Sequence, residues 1–282
     1  MKKVWITSDC TCDMSEELLN EFEVEVIHFY ITTDHGCFKD MAEITANNVV
    51  EYFDGGGYQI STAAPAPYEY ADFFRKMLEQ AEEIVHIAIS SALSMSYHNA
   101  VVAAEQFGGR VHVVDSQHLS TGIAHLVIRA VELARTEKTS EEIVSEIERI
   151  RTKVSTTFIA ENADYLFRTG RVGKLVKKVC SALKIHPVLV MRNGDMKLKT
   201  VQIGGYEESV AHYVKSELRK KQTIVKDRMF ITYTTCPLKV VNSIKKQVNE
   251  LCPFDSVMET RASATITSNC GANTVGVLFV RK

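Results

Sequence analysis

The sequence predicts an α/β protein of two domains, an N-terminal one built on a parallel sheet and a C-terminal one built on a mixed sheet. Three observations carry this. Short β-branched runs alternate with amphipathic stretches through the first half of the chain. In the second half apolar runs flank Asn193-Gly194, an antiparallel hairpin signal. The 282 residues also suffice for two ordinary cores. With 45% hydrophobic and 24% charged residues, the chain has the composition of a folded globular protein.

In chain order, Val4 to Thr7, Val24 to Ile31, Ile84 to Ile89 and Val111 to Val114 read as strands. Helical patterns run from Ser15 to Phe22, from Pro67 to Ala81, from Ser94 to Phe107, and again after Asp115. Pro67 suits a first helical turn, where no N–H is required. A longer helix follows from Ser140 to Val154, with Thr139 and Glu142 as a capping box. Its end marks the expected boundary, giving domains 1–154 and 155–282. Beyond it, strands at Val188 to Met191 and Lys197 to Ile203 form the hairpin. Helices near Glu207 to Lys221 and Leu238 to Leu251 alternate with strands at Met229 to Thr234 and Val275 to Val280.

A formal net charge of −2 leaves no whole-molecule electrostatic footprint for nucleic acid. The apolar run after Lys2-Lys3 ends at Thr7-Ser8-Asp9, too short for an export signal. No stretch approaches the roughly 18 apolar residues of a membrane span, so a cytoplasmic protein with no integral membrane segment is expected. The seven cysteines are scattered without CxxC pairs and read as reduced thiols, although Cys10, Cys12 and Cys270 could meet as a cluster. No pair of histidines has metal-ligand spacing; His86 and His112 read as core residues of strands, and neither a metal nor a cofactor is expected.

Hydroxyl-rich, nearly uncharged segments follow or precede several elements: Thr7 to Thr11, Ser61 to Pro65, and Ser90 to Ser94. Loops at the carboxyl ends of strands line the ligand crevice of an open α/β sheet. Hydroxyls and helix-start amides there suit a carboxylate or phosphate, though each segment alone fits capping as well. Arg168 to Lys178 is the one basic cluster, suited to phosphate, an acidic partner or a solvated helix start. Gly55-Gly56-Gly57 matches neither nucleotide fingerprint. A serine hydrolase using Ser90 or Ser91 is the rival reading, although the Gly-x-Ser-x-Gly elbow is lacking.

At these segments the chain resembles the DegV family. Thr7-Ser8-Asp9-Cys10-Thr11-Cys12-Asp13 is similar to the family's Thr-Asp-Ser-Thr-Ala-Asp opening, and Ser61 to Pro67 to its Thr-Ser-Gln-Pro-Ser-Pro. Ile89 to Ser94 resembles Ile-Ser-Ser-Gly-Leu-Ser, and Val114-Asp115-Ser116 contains the family's Asp-Ser. Leu166 to Val172 resembles Leu-Lys-Arg-Gly-Gly-Arg-Ile, while Lys184 to Leu189 and Gly271 to Gly276 follow in family order. The ordered set covers nearly the whole chain.

The resemblance implies a carrier, not a stand-alone enzyme, holding a long-chain fatty acid between its domains with the tail buried in the second. It places ligand contacts on Thr62, Ser90, Ser91, Leu93, Ser94, Asn269 and Gly271, with the carboxylate on Thr62 and Ser91. Some members of the family present the bound acid to a fatty-acid kinase, and for such a role the resemblance links Asp40 and Arg171 to phosphotransfer. Where the family has His-x-Gly-Pro-Gly, this chain has Asn269-Cys270-Gly271-Ala272-Asn273. An amide in place of the imidazole donates a hydrogen bond but carries no charge.

Overall fold

The computed structural model describes residues 2–57, 59–161, 164–169 and 184–282. Arg171, most of the basic cluster and Cys180 lie outside the described residues.

The first half begins β1 (Lys2–Asp9), a one-turn 3-10 helix (Cys10–Cys12), α1 (Glu16–Phe22), β2 (Glu25–Ile27), β3 (Tyr30–Thr33) and β4 (Gly36–Lys39). It continues α2 (Ala46–Asp54), β5 (Ile60–Ala63), α3 (Pro67–Leu78), β6 (Ala81–Ala88), α4 (Ser96–Ala104), β7 (Val111–Asp115), α5 (Thr121–Arg135) and α6 (Ser140–Arg151). Strands β2-β1-β6-β7 form a sheet in which every neighbouring pair is parallel. Both faces are covered, which is why its central strands are apolar on both sides. Trp5 and Ile84 face α3 and α4, while Val4, Ile6, Val85 and Ile87 face α5.

Two sequence expectations change here. Val24 to Ile31 is not one strand: the chain leaves the parallel sheet after Ile27 and enters a separate antiparallel sheet, β4-β3-β5. Ser61 to Ala63 is not a loop but most of β5, paired to β3 with Thr62 opposite Ile31. Only Ile31 of β3 is fully buried there, so the apolar alternation that marks a strand is missing.

The second half runs β8 (Val154–Ala160), α7 (Asp164–Arg168), β9 (Ile185–Arg192), β10 (Asp195–Ile203), α8 (Tyr206–Leu218), β11 (Ile224–Tyr233), α9 (Leu238–Leu251), β12 (Ser256–Arg261), α10 (Ala264–Cys270) and β13 (Thr274–Arg281). Val154 therefore opens a strand instead of closing α6. The sheet order is β10-β9-β8-β13-β11-β12, antiparallel except for the β11/β12 pair. Asn193 and Gly194 both take positive φ in the β9/β10 hairpin, as its turn type requires. One face of this sheet packs on α8 and α9 through Ile159, Met229, Ile231 and Val277. The other contributes Phe158, Leu189, Phe230 and Leu278 to the core that contains α5.

Helix α5 thus lies between the two sheets, buried over most of its length. It carries Ile123, Leu126, Val127 and Ile128 into the shared core, and a helix apolar all round is a buried one. Gly122 makes this approach possible: a Cβ there would stand 2.1 Å from Thr156 Oγ1 of β8.

Candidate functional site

In the parallel sheet β1 is followed by β2 on one side, and β6 then joins on the other, so the strand order switches between β1 and β6. Ligands bind α/β sheets at such a point, beyond the carboxyl ends of the strands. At the end of β1 sits the buried carboxylate of Asp9. One oxygen accepts the Ile89 amide (2.8 Å) and the Ser96 hydroxyl (2.6 Å), the other the Tyr70 hydroxyl (2.8 Å). Asp115, at the end of β7, similarly accepts the Ser91 hydroxyl (2.6 Å) and the amides of Ser91 and Gln117. These two carboxylates fix the Ile89 to Ser96 turn.

Beside that turn lies a cavity of about 400 Å³. Its wall is Thr62, Ala63 and Ala64 of the small sheet, Ile89, Leu93, Ser94, Met95 and Asn99 from the β6 to α4 region, Phe29, Leu119, and Met196 of β10. Helix α10 closes it with Thr265, Ile266, Asn269 and Cys270. Both halves of the chain contribute, and no charged residue stands among the described lining. A recess of about 30 Å³ under the six-stranded sheet shares Leu119, Ile266 and Cys270 with it.

Of the residues singled out in the sequence, the fold brings Thr62, Leu93, Ser94 and Asn269 to this cavity. Ser90, Ser91 and Gly271 are not among its lining. The buried Ser90 hydroxyl donates to the Gly194 carbonyl at the hairpin tip (2.5 Å), joining the two halves. Ser91 is held by Asp115 as described, and the Leu93 and Ser94 amides donate to the Ser90 carbonyl (2.9 and 3.2 Å). Gly271 follows α10 at φ +82, with the Tyr165 ring where its Cβ would be. Among the described residues neither serine is bonded to an imidazole, as the hydrolase reading would need.

Asp40 is fully buried. Its two oxygens accept the first amides of α10, from Ala264 and Thr265, each at 2.8 Å. Charge at a helix N-terminus is favourable, and two otherwise orphaned donors are satisfied. Asp13 supports the same end, accepting the Ser263 amide (2.9 Å) and the Ser120 hydroxyl (2.5 Å); burial raises its carboxyl to about 7. Asp40 and Asp13 therefore anchor α10, whose opposite end carries Asn269.

Cys10 and Cys12 are buried, and burial pushes both thiols up, Cys12 to about 12; Cys10 also feels Asp40. They are not poised as thiolates. His86 is buried, with Nδ1 3.0 Å from the Thr7 hydroxyl, but His112 is only half-buried beside Glu83 and is no core residue. His118, between the Arg151 carbonyl and Thr156, is pushed down to about 4 by burial and stays neutral. Among the described residues no cluster suits a metal ion, and no helix is long and apolar enough to cross a membrane. Thr265 was invisible in the sequence: no motif marks it, and only the fold sets it in the cavity wall.

Fold and cavity define a two-domain α/β protein with a neutral, largely apolar cavity where its halves meet. The family model described as the uncharacterised DegV family matches residues 3–282, and the chain belongs to the DegV family. A DegV domain-containing protein of Deinococcus radiodurans is 28% identical over 272 residues, 96% of each chain. A Thermus thermophilus DegV family protein, described for its fatty acid binding, superposes with a TM-score of 0.91 at 25% identity, covering 99% of this chain and 100% of that one. A Thermotoga maritima DegV lipid binding protein superposes at 0.86 with 22% identity and the same coverage, a likeness of fold.

Proposed function

We propose that the chain is a carrier that binds a long-chain fatty acid in this cavity, without catalytic chemistry of its own. The carboxylate lies at the polar rim of Thr62, Ser94 and Asn269, and the tail runs over Phe29, Ile89, Leu119, Met196 and Ile266 toward the second domain, taken to begin near residue 155. The observation that carries the reading is the composition of the wall: the hydroxyl and amide side chains of Thr62, Ser94, Asn99, Thr265 and Asn269 set among aliphatic and aromatic carbon, with no charged residue among the described lining. The described fatty acid binding of the Thermus thermophilus relative supports it.

Magnitudes favour a lipid over a small acid. Each buried methylene contributes about 0.8 kcal/mol, so roughly fourteen gross on the order of 11 kcal/mol before ordering costs. The polar rim then sets orientation more than affinity. Extraction of the native protein under denaturing conditions, followed by mass spectrometry, is expected to release C14 to C18 acids. Delipidated protein should take them up saturably. Neither release nor uptake would end the proposal.

A fatty-acid kinase is the partner we infer for the carrier, with weak phosphotransfer. A transferring phosphoryl group needs fixed cations and donors, and Asn269 supplies no charge. Asp40 supports the presentation step through its hold on α10. With a kinase that docks, Asn269→His is expected to raise acyl-phosphate turnover more than acid affinity; efficient turnover by the unaltered chain would contradict this.

A further inference from the structure

Four threonine and serine side chains of α10 and its cap are buried, and they differ in how their hydroxyls are used. Ser263 caps the helix by accepting the Ile266 amide (3.3 Å), and Ser268 donates to the Ala264 carbonyl (2.7 Å). Thr265 and Thr267 do neither: both hydroxyls are buried with no hydrogen-bond partner among the described residues. Thr267 is fully buried and not part of the cavity lining, whereas Thr265, 5% exposed, stands in the cavity wall, where a ligand can reach it. A buried hydroxyl left unpaired has lost its hydration with no bond in exchange. In native proteins such a group calls for a specific reason, often a site completed by something else.

Strand β5, which contacts α10, holds its counterpart. Thr62, half-buried on β5, has no side-chain hydrogen bond among the described residues. Its cross-strand partner Ile31 packs on Ala264, the residue before Thr265, so the two threonines belong to elements in direct contact. Asp40 holds the Thr265 amide at 2.8 Å, which fixes the backbone while leaving χ1 to turn. A helical threonine populates two χ1 wells, so the hydroxyl can swing toward the cavity without moving the helix. One turn later, Asn269 donates an amide hydrogen to the Thr265 carbonyl (2.8 Å). That hydrogen stays within the helix.

We propose that Thr265 is a head-group residue: its hydroxyl from the second domain and that of Thr62 from the first each donate to one oxygen of the ligand's carboxylate. The assignment rests on the fatty-acid reading above and deepens it. The carboxylate becomes the bond between the two halves at this seam. Asp40 is then a positioning residue, acting through the Thr265 backbone.

The test uses the full-length delipidated chain with hexadecanoate and hexadecanol as probes, comparing the unaltered protein with Thr265→Val, Thr265→Ser and Thr62→Val. Thr265→Val keeps the shape and removes the hydroxyl. It is expected to weaken hexadecanoate binding about ten- to a hundredfold, and hexadecanol no more than about threefold. Its ligand-free melting temperature should hold or rise, because the unpaired hydroxyl is gone. A hydroxyl of purely structural use would lower it. Thr265→Ser should restore most of the affinity, and it carries the comparison against Thr265→Ala if the valine variant does not fold. Uptake of neither probe by the unaltered protein would bring down the fatty-acid reading and this assignment together. Normal uptake with unchanged affinity in Thr265→Val, or equal losses for acid and alcohol, would overturn the assignment alone.

Discussion

The Ser90-Ser91 turn and the Thr62/Thr265 pair contain the same functional group in opposite circumstances. In the turn, Ser91 is bound to Asp115 and Ser90 to the Gly194 carbonyl, so both hydroxyls are spent on holding the fold. In the cavity wall, the hydroxyls of Thr62 and Thr265 have no partner among the described residues. Hydroxyl-rich composition therefore does not locate a binding site by itself. What distinguishes the two regions is whether a carboxylate or carbonyl of the chain already occupies the hydroxyl.

The comparison breaks most severely at Asp40, which ties the regions to a common frame. Asp40→Ala leaves two helix-start amides buried and unpaired. It should lower unfolding free energy in urea by on the order of 3 kcal/mol and take hexadecanoate affinity with it. An unchanged urea midpoint would mean that this carboxylate does not anchor α10.

Asp13 sharpens the contrast through pH. Its folded carboxyl is raised to about 7 by burial, against about 4 in an unfolded chain. Between these values the folded state keeps a proton that the unfolded state has lost, so stability falls as pH rises from about 4 to 7 and then levels. The fall over that window is on the order of 4 kcal/mol, and Asp13→Asn should flatten the slope in urea titrations across the range.

Next come the substitutions that separate the two uses of a hydroxyl. Thr62→Val is expected to weaken hexadecanoate about tenfold with an unchanged melting temperature. Ser91→Ala should do the reverse, costing about 1 kcal/mol of stability while the folded fraction binds normally. Matching phenotypes would erase the distinction. The smallest effect is expected at Ser90→Ala, which unlatches the hairpin tip carrying Met196 into the cavity. Stopped-flow release of a fluorescent acid should quicken severalfold with little change in stability.

What could be read from the sequence follows from how local each signal is. The parallel strands and the β9/β10 hairpin were legible because Val4 to Ile6, Ile84 to Ile87 and Asn193-Gly194 carry their structure in adjacent residues. The capping box of Thr139 and Glu142 was equally local and is present. The small sheet was not, because β3 buries only Ile31 fully. Helix α2 begins at a box of Thr45 with Asn48 in place of the usual Glu or Gln, and it went unread. Helix α10 is harder still: Ala-Thr-Ile-Thr-Ser-Asn-Cys has weak helix propensity, and its cap from Asp40 comes from 224 residues away. For the cavity, Thr62, Leu93, Ser94 and Asn269 were named from family order. The engagement of Ser90 and Ser91 elsewhere, and of Asp40 with a helix, depends on contacts that no local pattern encodes.

Helix α5, buried between both sheets, makes the two halves share one core instead of meeting at a wet seam. A jaw-like opening would strip carbon from both of its sides at once and approach the cost of global unfolding. Loading should therefore be a rim event. Amide-proton exchange along α5 should keep the same protection with and without lipid, while the changes gather at the β9/β10 tip and the segments around Thr62 and Met95. The chain behaves as a rigid vessel with a yielding lip, and its rate of exchange with lipid is set by a handful of surface bonds, not by the stability of the whole.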